Sequence, residues 1–297
     1  MDKILRAIST NGYIKVTVID SKETVAKAQS VHGLKTAASA ALGRALTAAL
    51  IICNDMKNET DRVSIQIRSE GEIGNIITEA NGKNEVKGYV TNPDVVMPKR
   101  ADGKIDVGGA LGHKGTLTII KDIGLKEPYS GTVELISGEI AEDIANYYMQ
   151  SEQIPTVLGL GVLVAENQMI LSSGGYMVQL LPDAPDDVID IIEKNVAALP
   201  ESISAHFAAG KSPEVLLKLL LSGFEYEILS EKECGFVCDC KRYRVEQALL
   251  SMGVAELETL RDEDKKIDVT CHFCNKEYNF LEEDIQVLIN VANRLKS

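Results

Sequence analysis

Residues 35–53 read KTAASAALGRALTAALIIC, a long stretch that is rich in alanine and leucine and apolar on most of its faces. A helix on a protein surface needs only one apolar stripe, so a helix that is apolar nearly all round is expected to be buried. We therefore predict a helix enclosed between layers of other structure in an N-terminal core.

Strand patterns flank this helix in the sequence. Segments that alternate between polar and apolar residues, or that are rich in β-branched residues, are typical of strands; here they are residues 14–19, 62–68, 85–91, 116–121 and 132–136, with more sheet expected over 154–181. A second helix is predicted over 139–150. The predicted class is α+β, with a mixed sheet and a buried helix forming a core in residues 1–181.

The character of the sequence changes after Pro182. Residues 187–199 and 213–221 have the pattern of short amphipathic helices, and Ser212 and Pro213 are a favoured N-cap and first helical residue. The second helix is more apolar than one stripe requires, so it must pack against a neighbour. We predict that residues 182–230 form a helical connector and that residues 231–297 form a separate C-terminal module.

Four of the six cysteines lie in that module, as Cys238-Asp239-Cys240 and Cys271-His272-Phe273-Cys274, with thirty residues between the pairs. A soft, tetrahedral metal such as zinc binds four thiolates, and two close pairs from distant stretches of chain can supply them. A CxxC pair alone is a weak signal because it also occurs in redox enzymes. A CxC pair joined to a CxxC pair is more specific, and it predicts one zinc held by Cys238, Cys240, Cys271 and Cys274.

The rest of the module is predicted to have helices over 243–252 and 255–260, a hairpin over 267–280 with the CxxC at its turn, and a final amphipathic helix. A module of about 65 residues has a marginal hydrophobic core, so zinc is expected to staple it. The spacing leaves two roles open. The site could be purely structural, or it could be a redox switch, because thiolates are the groups that oxidants attack.

Composition bounds the class of protein. With 45% hydrophobic and 25% charged residues, the 297-residue chain is typical of soluble globular proteins. Its first residues lack the basic and then apolar pattern of a leader, and no run of eighteen apolar residues suggests a membrane span. We expect a cytoplasmic protein without a membrane partner. Clustered cysteines in that reducing compartment more often bind metal or sense redox state than form structural disulfides.

Charge and motifs argue against several functions. The net charge is −13, and the module is itself acidic, with ten Lys/Arg against fourteen Asp/Glu, which disfavours nucleic-acid binding. The glycine-rich residues 108–116 fail as an ATP-binding loop because Gly115 separates Lys114 from Thr116. No local grouping suggests a catalytic site. Two alternatives stay open: a thiol–disulfide oxidoreductase that uses the CxxC pair, and a zinc-ribbon nucleic-acid binder.

Three further side chains near these motifs have simpler explanations. Cys53 ends the apolar helix and is expected to be a core residue. Cys234 lies four residues before Cys238 and could exchange into the site, although a fifth thiol is more often a spectator. His272 lies between two proposed ligands, but four cysteines already complete a tetrahedron.

The chain resembles the 33-kDa heat-shock protein family of bacterial redox-regulated holdase chaperones over nearly its whole length. The resemblance rests on the CxC and CxxC pairs about thirty residues apart, and on four shorter motifs: GRAL at 43–46, GYVTNP at 88–93, SGEIAED at 137–143 and SEQIP at 151–155.

The resemblance implies a reduced, zinc-bound monomer with little activity and no enzymatic function. Peroxide or hypochlorous acid, aided by unfolding stress, would join Cys238 to Cys240 and Cys271 to Cys274 and release the zinc. The module and then the connector would loosen, and the protein, commonly as a homodimer, would hold unfolding client proteins without ATP. Cys234 is an extra thiol beside the family pattern.

Overall fold

The structure, a computed structural model, describes residues 2–199 and 202–296. The chain forms two compact units, Met1–Val237 and Cys238–Ser297, and the second begins at the first cysteine of the CxC pair. Residues 182–237 lie within the first unit. The three-part division after residues 181 and 230 stays a prediction.

The first unit combines strands and helices. Its elements are β1 (Lys3–Ser9), β2 (Ile14–Asp20), α1 (Lys22–His32), α2 (Thr36–Cys53), β3 (Arg62–Ser69), β4 (Ile76–Asn81), β5 (Glu85–Val90), α3 (Val107–Leu111), β6 (Gly115–Asp122), β7 (Tyr129–Glu134), α4 (Ala141–Tyr147), a π-helical turn (Tyr148–Glu152), β8 (Thr156–Val164), β9 (Ile170–Leu180), α5 (Asp186–Ala197), α6 (Ile203–Ala208), α7 (Pro213–Leu220), β10 (Tyr226–Glu233) and β11 (Gly235–Phe236). The predicted α+β class is confirmed.

The strands are sorted into two sheets. One has the order β10-β1-β2-β9-β8 and is antiparallel throughout; the other has the order β11-β5-β4-β3-β6-β7 and is antiparallel except for the β11–β5 pair. The sequence pattern alone did not divide the strands between two layers. Strand periodicity reports which residues face a core, but it does not report which strands share a sheet.

Helix α2 lies between the sheets, as its sequence predicts. It contacts strands of both, and all of its residues except Thr36 and Arg44 are buried. Its length and mean hydropathy of 1.6 also meet the criteria for a membrane span, yet 89% of the stretch is buried inside the protein, as in the core helix of a soluble domain. The two sheets therefore supply the apolar surroundings that this helix needs.

The connector helices cover the outer face of the five-stranded sheet. Residues of α5, α6 and α7, including Ile192, Phe207 and Leu217, form one apolar cluster with Val16 and Val178 of the sheet. The surplus leucines of α7 are thus packed against a neighbour. The chain then returns as β10 beside β1, where Lys3 Nζ lies 2.7 Å from carboxylate oxygens of both Glu214 and Glu231.

The second unit is small. It consists of α8 (Arg242–Met252), α9 (Val254–Glu263), β12 (Lys266–Thr270), β13 (Glu277–Leu281) and α10 (Glu282–Lys296). Strands β12 and β13 form the predicted antiparallel hairpin with the CxxC pair at its turn. The apolar core joins Leu249, Leu257, Tyr278, Phe280, Ile285, Leu288 and Ile289.

A glycine on β8 allows α6 to approach the sheet. A Cβ atom at Gly161 would lie 2.6 Å from the backbone nitrogen of Ser204, so Gly161→Ala is expected to push α6 outward and to destabilise the connector by about 1–3 kcal/mol. Amide hydrogen exchange over residues 203–208 should become faster. Gly235→Ala is the control, since a Cβ atom there meets nothing within 4 Å. Unchanged exchange in the first variant would contradict this packing.

Candidate metal centre

The hairpin turn brings Cys271 and Cys274 together. The backbone N–H groups of Cys274 and Asn275 donate to the carbonyl oxygen of Cys271 at 3.2 and 2.8 Å, and the N–H of Cys271 donates to the carbonyl oxygen of Lys276 at 3.0 Å. Asn275 has a φ of 55°, in the left-handed region that asparagine tolerates better than most residues. These bonds fix the backbone of the turn and with it the positions of both thiols.

The CxC pair is held against this hairpin by the start of α8. The guanidinium of Arg242 lies 4.1 Å from the centre of the Phe280 ring and donates to the carbonyl oxygen of Asn279 at 2.8 Å. Arg244 forms an ion pair of 2.8 Å with Asp239, the residue between the two cysteines. The first turn of α8 thus contacts both motifs: Arg242 binds the hairpin strand β13, and Arg244 binds Asp239 of the CxC pair. These contacts bring the CxC pair next to the CxxC pair.

The four cysteine sulfurs form one group, with every pair within 4.8 Å. Two of its contacts run between the motifs: Cys238 Sγ lies 3.8 Å from Cys271 Sγ, and Cys240 Sγ lies 3.3 Å from Cys274 Sγ. In a tetrahedral zinc site with Zn–S bonds of about 2.3 Å, neighbouring sulfurs are about 3.8 Å apart. The arrangement fits such an ion, and His272 is not a member of the group.

The electrostatics of the group also favour a cation. Burial raises the pKa of the Cys238 and Cys274 thiols. Burial acts in the same direction on Cys240, but hydrogen bonds to its sulfur from Tyr278 and the neighbouring thiols outweigh it and lower the pKa of Cys240. Four thiolates this close repel one another, so a divalent ion would stabilise the fully deprotonated group.

Tyr278 supports the site from the core of the second unit. Its ring is buried among the apolar residues of that core, and its hydroxyl donates to Cys240 Sγ at 3.2 Å. That hydrogen bond raises the pKa of Tyr278. Sequence spacing gave no indication of this role or of that of Arg242; only the hairpin register and the position of α8 reveal them.

The other two cysteines lie elsewhere, in the first unit. Cys53 is buried, and burial raises the pKa of its thiol to about 12, consistent with the predicted core role. Cys234 packs against the central core of the first unit, and burial raises its thiol pKa as well. Neither belongs to the group of four sulfurs.

Comparison with known proteins places the whole chain in one family. The family model described as "Hsp33 protein" matches residues 2–281. The chain belongs to the Hsp33 family. It is 42% identical over 296 residues to the "33 kDa chaperonin" of Acetivibrio thermocellus, covering 100% of this chain and 99% of the relative. It is 45% identical over 284 residues to that of Clostridioides difficile, covering 96% and 97%.

An Hsp33 crystal structure extends the likeness to the fold. The 33 kDa chaperonin of Thermotoga maritima superposes with a TM-score of 0.88 at 33% identity, covering 99% of both chains. The family resemblance inferred from the sequence is thereby confirmed. The chain is a member of a chaperone family with a four-cysteine group that is able to bind a metal ion.

Removing one sulfur tests the ligand set. Cys271→Ser should lower zinc content well below one per chain and unfold the second unit under reducing conditions, because three ligands remain and the apolar core is small. Zinc is measured with a chromogenic chelator and folding by circular dichroism. Cys234→Ala, in the other unit, should keep its zinc. A Cys271→Ser protein with full zinc content would show that the ligand set is wrong.

Tyr278→Phe tests the hydrogen bond to Cys240 while keeping the aromatic ring in the core. Partners that orient metal ligands typically change affinity by about 10–100-fold when removed. We expect zinc affinity to fall within that range in competition titrations with a chelator, with little change in the far-ultraviolet circular dichroism spectrum of the zinc-loaded protein. Equal affinities would mean that the hydroxyl does not support the site.

Proposed function

We propose that this chain is a redox-regulated, ATP-independent holdase: a chaperone that binds unfolding proteins and prevents their aggregation when oxidants reach its cysteines. One observation carries the proposal. Four cysteine sulfurs within 4.8 Å of one another lie beside the apolar core of a small unit, so oxidation of those sulfurs alters the group on which the unit depends.

In the reduced state, Cys238, Cys240, Cys271 and Cys274 hold one zinc ion. Bound zinc supplies charge neutralisation and a cross-link between two distant segments. In zinc-finger peptides such binding contributes roughly 10–16 kcal/mol at neutral pH, whereas whole domains retain only about 5–15 kcal/mol of net stability. The second unit has few other sources of stability, because Leu249 is the only buried residue of α8 and Leu257 is the only buried residue of α9.

Oxidation converts the ligands into two disulfides, Cys238–Cys240 and Cys271–Cys274. A thiolate attacks the O–O bond of peroxide, giving a sulfenic acid and releasing hydroxide, which takes up a proton to form water. The neighbouring thiol then attacks that sulfur and displaces a second water. Each disulfide thus consumes one peroxide, which accepts two electrons, and the loss of thiolates releases the zinc with its charge unchanged.

The proposed disulfide pairing changes the contacts within the site. Cys238 Sγ contacts Cys271 Sγ and Cys240 Sγ contacts Cys274 Sγ between the motifs, and bonds within each motif would replace these cross-motif contacts. Disulfides within the motifs close very short loops, so they restore little of the stability that is lost with the metal. Both effects favour unfolding of the second unit.

Loosening of the connector is the proposed next step. The N–H of Val237, the residue before Cys238, donates to the carbonyl oxygen of Val86 at 2.9 Å. When the second unit unfolds, movement of the chain at Cys238 therefore disrupts β11 first and β10 next. Release of α5, α6 and α7 would uncover the apolar face of the five-stranded sheet, including Val16 and Val178. An exposed face of that kind is suited to unfolding polypeptides.

The remaining properties belong to the same proposal. The oxidised protein acts as a homodimer in the cytoplasm, without enzymatic activity and without ATP, nucleic acid or a membrane as partner. The acidic net charge of −13 supports the exclusion of nucleic acid. An oxidoreductase usually exposes its CxxC at a helix N-terminus, whereas this pair lies in a hairpin turn beside two more sulfurs. Cys234, half-buried in the first unit, is a spectator.

The deciding experiment follows light scattering by a thermally unfolding client protein. The reduced, zinc-loaded protein should suppress aggregation weakly, and protein treated with warm peroxide should suppress it strongly while releasing one zinc per chain. Dithiol and zinc should restore the inactive state. Zinc release without any gain in suppression would contradict the switch and leave the metal centre with a structural role.

A further inference from the structure

The strand β8 forms an open edge of the five-stranded sheet. It pairs with β9 on one side, and no strand in the described residues pairs with its other side. In an antiparallel edge strand, half of the backbone N–H and C=O groups point away from the only partner. Such groups are a template for another extended chain.

This edge lacks the usual protection. Strand β8 reads TVLGLGVLV, with no charged residue and no proline, and its register with β9 shifts only near the end, between Leu163 and Val164. At the opposite edge, β10 contains Glu227, Glu231, Lys232 and Glu233. Proteins normally shield open edges with charges, prolines or bulges; β8 has no charge or proline on this edge, although Val157 is the one exposed residue among its nine.

A groove runs along the same edge. A cavity of about 580 Å³ is lined by residues 158–164 of β8, by Arg44 and Glu139 on one side, by residues 202–205 at the start of α6 on another, and by residues 99–105. Its floor is therefore a strand edge rather than a closed apolar surface. An extended peptide could lie in it and reach the free backbone groups of β8.

The groove is weakly positive in an otherwise acidic protein, since its lining carries four cations, Arg44, Lys99, Arg100 and Lys104, against three carboxylates, Asp102, Glu139 and Glu142. Residues 99–104 carry Lys99, Arg100 and Lys104 against Asp102 alone. Glu139 already accepts hydrogen bonds from Arg44, Arg100 and the backbone N–H of Gly108. The Nε of Arg44 is buried and has no hydrogen-bond partner among the residues that the structure describes. These donors would favour a carboxylate in the occupant.

We propose that an extended segment of an unfolding client protein, apolar at alternate positions and carrying an acidic residue, docks in this groove and adds to β8 as a further strand. The inference rests on the proposed function and adds the β8 edge to the apolar sheet face as a surface for client binding. Backbone hydrogen bonds supply affinity that depends little on sequence, which suits a chaperone with many clients. Because α6 of the connector forms one wall, loosening of the connector widens the groove.

The first test uses a fluorescent peptide of alternating valine and threonine with one aspartate, titrated by anisotropy into the full-length oxidised protein. The same peptide with alternate backbone nitrogens methylated keeps every side chain but loses N–H donors. It should bind at least about tenfold more weakly, since several hydrogen bonds are lost. A peptide with lysine in place of aspartate should also bind more weakly. Equal binding by the methylated peptide would overturn strand addition.

The second test changes the edge itself. Val157, on β8, and Leu171, on the neighbouring interior strand β9, have similar exposures of 38% and 44%. Val157→Lys places a charge on the open edge and should weaken peptide binding at least about tenfold; Leu171→Lys, the matched control, should leave it unchanged. Leu163→Lys provides a second edge variant. Bound peptide should also slow amide exchange over residues 156–164.

The outcomes separate this inference from the proposed function. If Val157→Lys and Leu163→Lys bind peptide normally and residues 156–164 gain no protection, the β8 edge is not the docking surface, even if oxidised protein still suppresses aggregation. If these variants instead convert an oxidised dimer to monomer without affecting peptide binding, the edge pairs two copies of the chain, and the client assignment is wrong. Failure of oxidised wild-type protein to suppress aggregation would overturn the proposed function separately.

Discussion

Burial of α2 is the constraint on which the first unit depends. A helix with sixteen of its eighteen residues buried needs apolar contacts on every side, and a single sheet supplies them on only one. Two sheets enclosing one helix satisfy the requirement. Each sheet then has a second face, and that of the five-stranded sheet is covered by α5, α6 and α7. The connector therefore forms an outer layer over a core that is arranged around α2.

The second unit has a different source of stability. Its apolar core is small, and the sulfurs of four cysteines complete it from one side: Cys240 and Cys271 both pack against that core. Charge repulsion among thiolates would oppose the arrangement unless a cation is present. If the group binds a metal ion as proposed, folding, metal binding and thiol chemistry depend on the same atoms. Oxidation of the cysteines would then lower the stability of the second unit.

Patterns local in the chain were predictable, whereas long-range pairings were not. The buried α2, the start of α7 at Ser212 and Pro213, and the hairpin carrying Cys271 and Cys274 all followed from composition and spacing. The division into two sheets did not, because periodicity contains no information on which strands are neighbours. The hydrogen bond from Tyr278 to Cys240 depends on hairpin register and on α8, neither of which a cysteine motif encodes.

The pairing of β1 with β10 has a consequence for synthesis on the ribosome. Lys3 lies opposite Glu233, and the two-residue strand β11 follows at once and joins the other sheet. Strand β1 therefore gains its second partner only about 230 residues later, and such non-local contacts form slowly. Both sheets of the first unit become complete only when the chain has reached the CxC pair. Until then, β1 has β2 on one side and an open edge on the other, and the nascent chain is itself a polypeptide in need of protection.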